Sequence, residues 1–275
     1  MPELKPLYPY AGGKVGLIKH FSKHLTRSDC YVEPFFGGGS VFCYMVNCGL
    51  AKRFIINDIN AELIKIYLDI QDDGEAVIDE LNSIWDAYAQ LSTLDKKHKF
   101  NAELNLYHRS HSSGRLLFLM NTSFGAMWTT DPATGRYAPT SGHNGVQANK
   151  DHKIVVYQIR LWRAVLKGAH VQSMNYSDIE VPDNSLVYCD PPYRNALNVY
   201  SKMFSDDEQG RLFDWCCHIS KRNTVRVIQT NNGDGDFFSA LIEAAGNVVC
   251  EQYNANYSNG PIKNLGKEVV MVWNP

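Results

Sequence analysis

Tyr31-Val32-Glu33-Pro34-Phe35-Phe36-Gly37-Gly38-Gly39-Ser40 reads as a strand that enters a glycine-rich loop and leaves it as a helix. Tyr31-Val32-Glu33 carries the strand, and Pro34, with no N–H for a ladder, limits how far it continues. The glycines let the backbone come close to a ligand, and Ser40 can cap a helix running towards Gly49. Phe54-Ile55-Ile56 is a second short strand, ending at Asn57-Asp58, and a helical pattern follows on Leu63, Ile64, Tyr67 and Ile70. Strand, loop, helix, strand, helix is the alternation that builds a parallel sheet with helices against it. Upstream, Lys14 to Leu25 predicts a short helix with Leu17, Ile18, Phe21 and Leu25 on one face.

The texture changes from about Asp72 to Lys167. Helices are expected around 75–91 and 100–120, with Leu116-Leu117-Phe118-Leu119 buried. Residues 121–149 are rich in Gly, Thr, Ser, Asn and Pro, a length of loop that is usually functional in a compact protein. The α/β rhythm then returns. Leu186–Cys189 is a strand, Ser205 with Glu208 makes a capping box for a helix through Ile219, and Val225–Ile228 is a strand. Phe237–Ala245 is helical, and Val248–Tyr253 with Val269–Trp273 can close the sheet as an antiparallel pair. The expected division is therefore 1–71 with 169–275 as one domain and 72–168 as a mainly helical insert.

Over 275 residues, 44% apolar and 20% charged, the composition is that of a globular protein and excludes a wholly disordered chain. No apolar run approaches the roughly eighteen residues that span a bilayer, and the start has no signal-like apolar region. Seven cysteines without a C-x-x-C pair fit reduced thiols in a cytoplasm-like compartment. The net charge of −2 conceals a division. Residues 1–94 carry 8 Lys and Arg against 12 Asp and Glu, 95–168 carry 11 against 4, and 169–275 carry 8 against 13. A basic island between acidic flanks is the footprint of a polyanion-facing insert, although a solvated surface with clustered charges gives the same count.

Three strings carry chemistry. In Glu33–Gly39 the helix start favours polar or anionic groups, and Asp58, twenty residues after Gly38, is well placed to accept both hydrogens of a ribose diol. A tight turn is the plainer account of the glycines alone. In Asp190-Pro191-Pro192-Tyr193, the prolines stiffen the backbone and leave carbonyls free to accept. An acidic side chain beside such a carbonyl can hold both protons of an exocyclic amino group, and Tyr193 offers a face for an extruded base. The plainer account is a rigid strand exit. In Tyr8-Pro9-Tyr10-Ala11-Gly12-Gly13-Lys14, a lysine at a helix start asks for an anion, and a cofactor carboxylate would serve, with Tyr10 covering an apolar part. His20 with His24, and His108 with His111, read as solvated or basic helix faces rather than metal ligands, and Cys216-Cys217 as core.

In this order the strings Tyr10–Lys14, Val32–Phe42, Asn57–Asn60 and Val187–Tyr193 resemble the Dam-type (D12 class) adenine-N6 DNA methyltransferases over nearly the whole chain. The C-terminal Ser258–Gly260 and Lys267–Val270 resemble that family's closing hairpin. The resemblance implies a Rossmann-like S-adenosylmethionine-dependent sheet, mostly parallel with one antiparallel closing strand, and a target-recognition insert. It implies that Tyr10, Ala11, Gly12 and Lys14 flank the methionine end of S-adenosylmethionine. Glu33, Pro34, Phe35, Gly37, Gly38 and Ser40 pass beneath it, Asp58 holds the ribose, and Ile59 packs on the adenine. Asp190 faces the cofactor and accepts from the target amino group, with Pro191 as second acceptor and Pro192 and Tyr193 completing the motif. Direct in-line transfer to a flipped-out base follows, with no metal and no obligate protein partner, on double-stranded DNA in a bacterial or phage-infected cytoplasm.

For DNA the resemblance and the charges together point to Lys96, Lys97, Lys99, Arg109 and Arg115 as phosphate contacts. Asn121, Phe124, Arg136 and Asn144 are candidate contacts along the reading loop. Pro9 stands where the GATC-reading group has a lysine, and Trp128-Thr129-Thr130 where an arginine is usual, so GATC recognition is not implied. Two rival readings remain at this point: the same chemistry on cytosine N4 or an RNA adenine, and a DNA-binding protein without turnover.

Overall fold

The computed structural model describes residues 2–275 except 125–126, 132–133, 144–150, 195–203, 234–236 and 260–261, and only the backbone of the remaining residues in 255–265. In chain order its elements begin with α1 (Ile18–Phe21), β1 (Ser28–Glu33), α2 (Ser40–Asn47), β2 (Ala51–Asn57), α3 (Ala61–Ala89), α4 (Thr93–Ser110) and α5 (Ser113–Thr122). They continue with β3 (Trp128–Thr130), β4 (Tyr137–Pro139), α6 (His152–Leu166), β5 (Ala169–Gln172), β6 (Ser185–Cys189) and α7 (Asp206–Ile219). The last are β7 (Arg226–Asn232), α8 (Phe237–Ala245), β8 (Val248–Asn259) and β9 (Ile262–Trp273). The chain forms two compact units: Met1–Gly13, Gly37–Asn47 and Asn60–Ser173 make the first, and Lys14–Phe36, Cys48–Ile59 and Met174–Pro275 the second.

The second unit is built on strands in the order β2-β1-β6-β7-β9-β8. β2, β1, β6 and β7 are parallel, β9 runs antiparallel to β7, and β8 antiparallel to β9. The expected α/β sheet with one reversed closing strand is thus present. Successive side chains of a strand point to opposite faces, so register sorts them. Val32, Val187, Val227, Cys189, Met271 and Trp273 share one face and form a core with Leu212, Phe213 and Cys216 of α7. Tyr31, Leu186, Tyr188, Ile228, Thr230 and Val270 share the other face, where Phe21 of α1 stacks on Tyr188 at 5.5 Å.

The first unit is mainly helical. α3 starts at the Asn60 cap and bends at Asp73, whose φ of −137° breaks the helical run. Ser92 caps α4, and His111 in the left-handed region (φ 48°) ends it. Phe42 of α2 stacks on Trp162 of α6 at 5.0 Å, and the Trp162 indole N–H donates to the Lys5 carbonyl at 2.8 Å. β3 and β4 form a two-stranded ribbon extended by the Ser123–His143 bridge.

Several expectations need correction. The helix expected over Lys14–Leu25 is reduced to α1 and a 3₁₀ turn at Ser22–His24, while Lys14 to Ile18 form turns on the Lys14 carbonyl. Glycines at 12, 13 and 16 give that stretch little helical preference. The 75–91 helix is the far half of α3, and the 100–120 helix is two helices parted at His111. The expected domain boundary at 71/72 therefore falls inside α3. Residues 1–13 and 37–47 pack with the helical unit, because Phe42, Leu7 and Tyr8 are apolar surface it buries.

Candidate functional site

In the first unit Tyr10 lies against the glycine loop. A Cβ on Gly37 would stand 2.7 Å from Tyr10 Cε1, and one on Gly38 2.8 Å from Tyr10 Cβ. Gly37 also has φ +49°. A side chain at either position would run into Tyr10, so the close approach of the tyrosine needs both glycines. The buried Tyr8 hydroxyl donates to the Gly37 carbonyl at 3.0 Å and accepts from Tyr67 at 3.1 Å. Gly12 has φ +84° and is exposed, Ala11 is half-buried, and Ser40 opens α2. Gly37→Ala is expected to destabilise by about 2–3 kcal/mol through overpacking and positive-φ strain. In a Tyr10→Ala background only the strain, about 1 kcal/mol, should remain. Urea unfolding of the four variants measures both, and an undiminished cost in the second background would rule out the tyrosine.

In the second unit Glu33 ends β1 and Pro34 follows it, both buried, and Glu33 accepts from Tyr31 at 2.7 Å. Phe35 packs beside Tyr176 and Phe204. Asn57 holds this loop: its buried amide donates to the carbonyls of Pro34 and Met174, both at 3.0 Å, and accepts from Met174 N–H at 3.0 Å. The Phe36 N–H donates to the Asn57 carbonyl. Asn57 thus fixes the end of β2, from which half-buried Asp58 and then Ile59, 72% exposed, project. A carboxylate beside a large exposed aliphatic side chain is the pairing that a ribose and its base ask for.

Asp190 follows β6 on the face that carries Tyr188 and Thr230. Lys14 Nζ is 2.8 Å from Asp190 Oδ2, and the Thr230 hydroxyl donates to Oδ1 at 2.9 Å, with the Tyr188 hydroxyl 3.0 Å from Thr230. Each carboxylate oxygen retains a lone pair for a further donor. Burial pushes the Asp190 carboxyl up, and Lys14 pulls it back only in part. Lys14 also lies 4.6 Å from the centre of the Tyr193 ring, so one face of that ring is taken by an ammonium. The expectation that Lys14 stands at a helix start is corrected: it precedes α1 by a turn, and in this structure it pairs with Asp190. The Pro192 carbonyl accepts from Gln209 at 2.8 Å, and Gln209 in turn accepts from Asn231 at 2.9 Å, which stiffens the motif from behind.

The sequence reading missed Asn57, Thr230, Gln209, Asn231 and Glu268. A signal existed: Gln229-Thr230-Asn231-Asn232 is a polar run inside a strand, and polar residues buried in a sheet are there to be bonded.

The DNA candidates separate by exposure. Lys97, Arg109 and Arg136 are exposed, and Phe124 is 56% exposed. Lys97 lines a cleft with Thr93, Asn101 and Gly142. Lys99 pairs with Glu103 at 2.7 Å, and Arg115 with Glu103 at 2.6 Å and Glu80 at 3.0 Å, so their charges serve the helical unit. Lys96 lies 5.2 Å over the Tyr88 ring. Asn121 corrects an expectation: it is fully buried, donating to Leu7 and Leu117 carbonyls, because the last turn of α5 is interior. Asn144 lies outside the described residues.

The donor set fits S-adenosylmethionine. Lys14 is the one buried lysine or arginine among the described residues, whereas Glu33, Glu268 and Asp190 put carboxylates in the same unit. Excess buried negative charge suits a sulfonium cation. Among the described residues no group of three or more His, Cys, Asp or Glu is placed to hold a metal, and no helix is long and apolar enough to cross a membrane.

A family model described as D12 class N6 adenine-specific DNA methyltransferase matches residues 10–255. A type II methyltransferase, M.MjaIII, of Methanocaldococcus jannaschii is 27% identical, covering 88% of this chain and 89% of its own. A DNA adenine methylase of Haemophilus influenzae is 26% identical over 84% of this chain and 81% of its own. Another, of Escherichia coli K12, is 25% identical over 100% of this chain and 97% of its own.

Proposed function

The chain belongs to the D12 class N6 adenine-specific DNA methyltransferase family, and from that premise we propose that Asp190–Tyr193 receives the target adenine and that Asp58 and Ile59 hold the cofactor's nucleoside. The reaction is methylation of adenine N6 in DNA with S-adenosylmethionine, which when bound supplies the electrophilic methyl group. The observation that carries the assignment is the Asp190 carboxylate. It is held by Lys14 and Thr230, largely out of water, and each oxygen keeps acceptor capacity. Such an acceptor holds the protons of an exocyclic amino group and favours the more nucleophilic nitrogen, so that catalysis comes from positioning and electrostatics. Pro191 offers a carbonyl as second acceptor, and the face of Tyr193 away from Lys14 offers the stack.

The basic stretch 95–168 supplies the contacts to duplex DNA, with Lys97, Arg109, Arg136 and Phe124 as the exposed side chains to test first. The enzyme then works where that DNA is, in a bacterial or phage-infected cytoplasm.

The test incubates the protein with S-adenosylmethionine and unmethylated duplex DNA, digests the DNA to nucleosides, and identifies modified bases by mass spectrometry. N6-methyladenine that depends on added cofactor is the expected product. N4-methylcytosine, or no modified base, would overturn the reading. Asp58→Ala should weaken S-adenosylmethionine binding about 10- to 100-fold, the worth of hydrogen bonds to a charged acceptor. Unchanged affinity by calorimetry would remove Asp58 from the ribose.

A further inference from the structure

Alternation along the strands brings a third carboxylate to the face that carries Tyr188 and Thr230. Glu268 of β9 sits opposite Asn232 of β7 and Tyr253 of β8, and is fully buried. Its Oε2 accepts from the Tyr193 hydroxyl at 3.0 Å and from the Tyr253 hydroxyl at 2.7 Å. Tyr253 is itself stacked on His20, centroids 4.8 Å apart and planes 9° from parallel. A buried carboxylate is costly unless hydrogen-bonded, and here two phenols meet that need. Burial and the nearby carboxylates of Asp190 and Glu268 push the Tyr193 phenol well up, so it remains a donor.

Resting on the reading of Asp190–Tyr193 as the adenine site, we propose that Glu268 is a positioning residue for base capture. It anchors the tip of Tyr193 while Lys14 covers one face of the ring, so the ring plane that meets the adenine is fixed at two points. Through Tyr253 the same oxygen ties the β8–β9 hairpin to the strand exit that bears the motif. A tyrosine left to rotate would stack on an extruded base only after losing that freedom, and the loss would appear in the transition state. Glu268 also acts on Asp190 electrostatically. The groups facing Asp190 are Lys14, which lowers its pKa, Thr230, which donates to it, Glu268, which raises it, and the neutral phenols of Tyr188 and Tyr193.

The experiment uses the full chain, duplex DNA and S-adenosylmethionine, and compares Glu268→Gln, Tyr193→Phe and the double variant. Tyr193→Phe is expected to lower kcat about 10- to 100-fold, as for a lost hydrogen bond to a charged group, and Glu268→Gln, which keeps a neutral acceptor, about 3- to 10-fold, both with KM for S-adenosylmethionine within about twofold. The double variant should be little worse than Tyr193→Phe alone, since the glutamine only weakens the contact that the phenylalanine removes. Glu268→Gln, and not Tyr193→Phe, should also move the acid limb of kcat to lower pH, because Asp190 loses an anionic neighbour. Additive losses, an unmoved acid limb, or unchanged kcat would overturn the proposal. If the glutamine variant does not fold, Tyr253→Phe decides: a kcat loss at unchanged KM supports the anchor, and wild-type kcat overturns it. Wild-type turnover in the same assay keeps these outcomes separate from any failure of the adenine-site reading itself.

Discussion

Asp190→Ala is expected to lower methyl transfer about 10³-fold or more, on the scale of removing a positioned acceptor from an active site. The loss has two sources that can be told apart. One is chemical: without the carboxylate, nothing beside Pro191 accepts from the amino group. The other is structural, since Lys14, buried to 3% exposure, loses the carboxylate it pairs with, and breaking a buried ion pair on one side costs about 3–5 kcal/mol. Asp190→Asn separates them. It keeps the shape, yet its NH₂ points a donor at either Lys14 or the substrate amino group, so turnover should fall nearly as far while less stability is lost. Kinetics taken where thermal melts show both variants folded make the comparison clean. Near wild-type turnover in Asp190→Asn would show that the residue does not receive the amino group.

Much of this fold was legible because the residues that make it act locally. Tyr31–Ser40 combines a strand, a proline stop, a glycine loop and a helix start within ten residues, and β1, the loop and α2 follow that pattern. The strands after 185 were legible for the same reason. The site was legible as separate strings and illegible as a network. Lys14 and Asp190 are far apart in the sequence, and only the sheet, with β6 beside β7, brings Thr230 to the carboxylate. The glycines at 37 and 38 were legible as a close backbone approach, but that Tyr10 is the side chain lying against both was not. The helical unit was hardest. A charge count cannot distinguish Arg115, spent on Glu103 and Glu80, from Arg136 in solvent, because what separates them is the helix packing that puts two glutamates beside one guanidinium.

Lys14→Met is the second large effect, and its pH dependence carries the argument. Methionine roughly keeps the length and apolar stem of lysine and removes the charge. Burial holds the Asp190 carboxyl above its ordinary range and Lys14 opposes this, so removing Lys14 must raise it further. A protonated Asp190 has lost acceptor capacity, hence the variant should fall about 10²- to 10³-fold at neutral pH and recover in part as pH rises. The acid limb of kcat moves upwards, opposite to the shift expected for Glu268→Gln, because one variant removes a cation and the other an anion from the surroundings of the same carboxylate. If Lys14 instead serves a carboxylate of the cofactor, the variant will weaken S-adenosylmethionine binding and leave the acid limb where it was. The direction of one pH profile, read beside one binding isotherm, therefore assigns the lysine to the base-receiving carboxylate or to the cofactor.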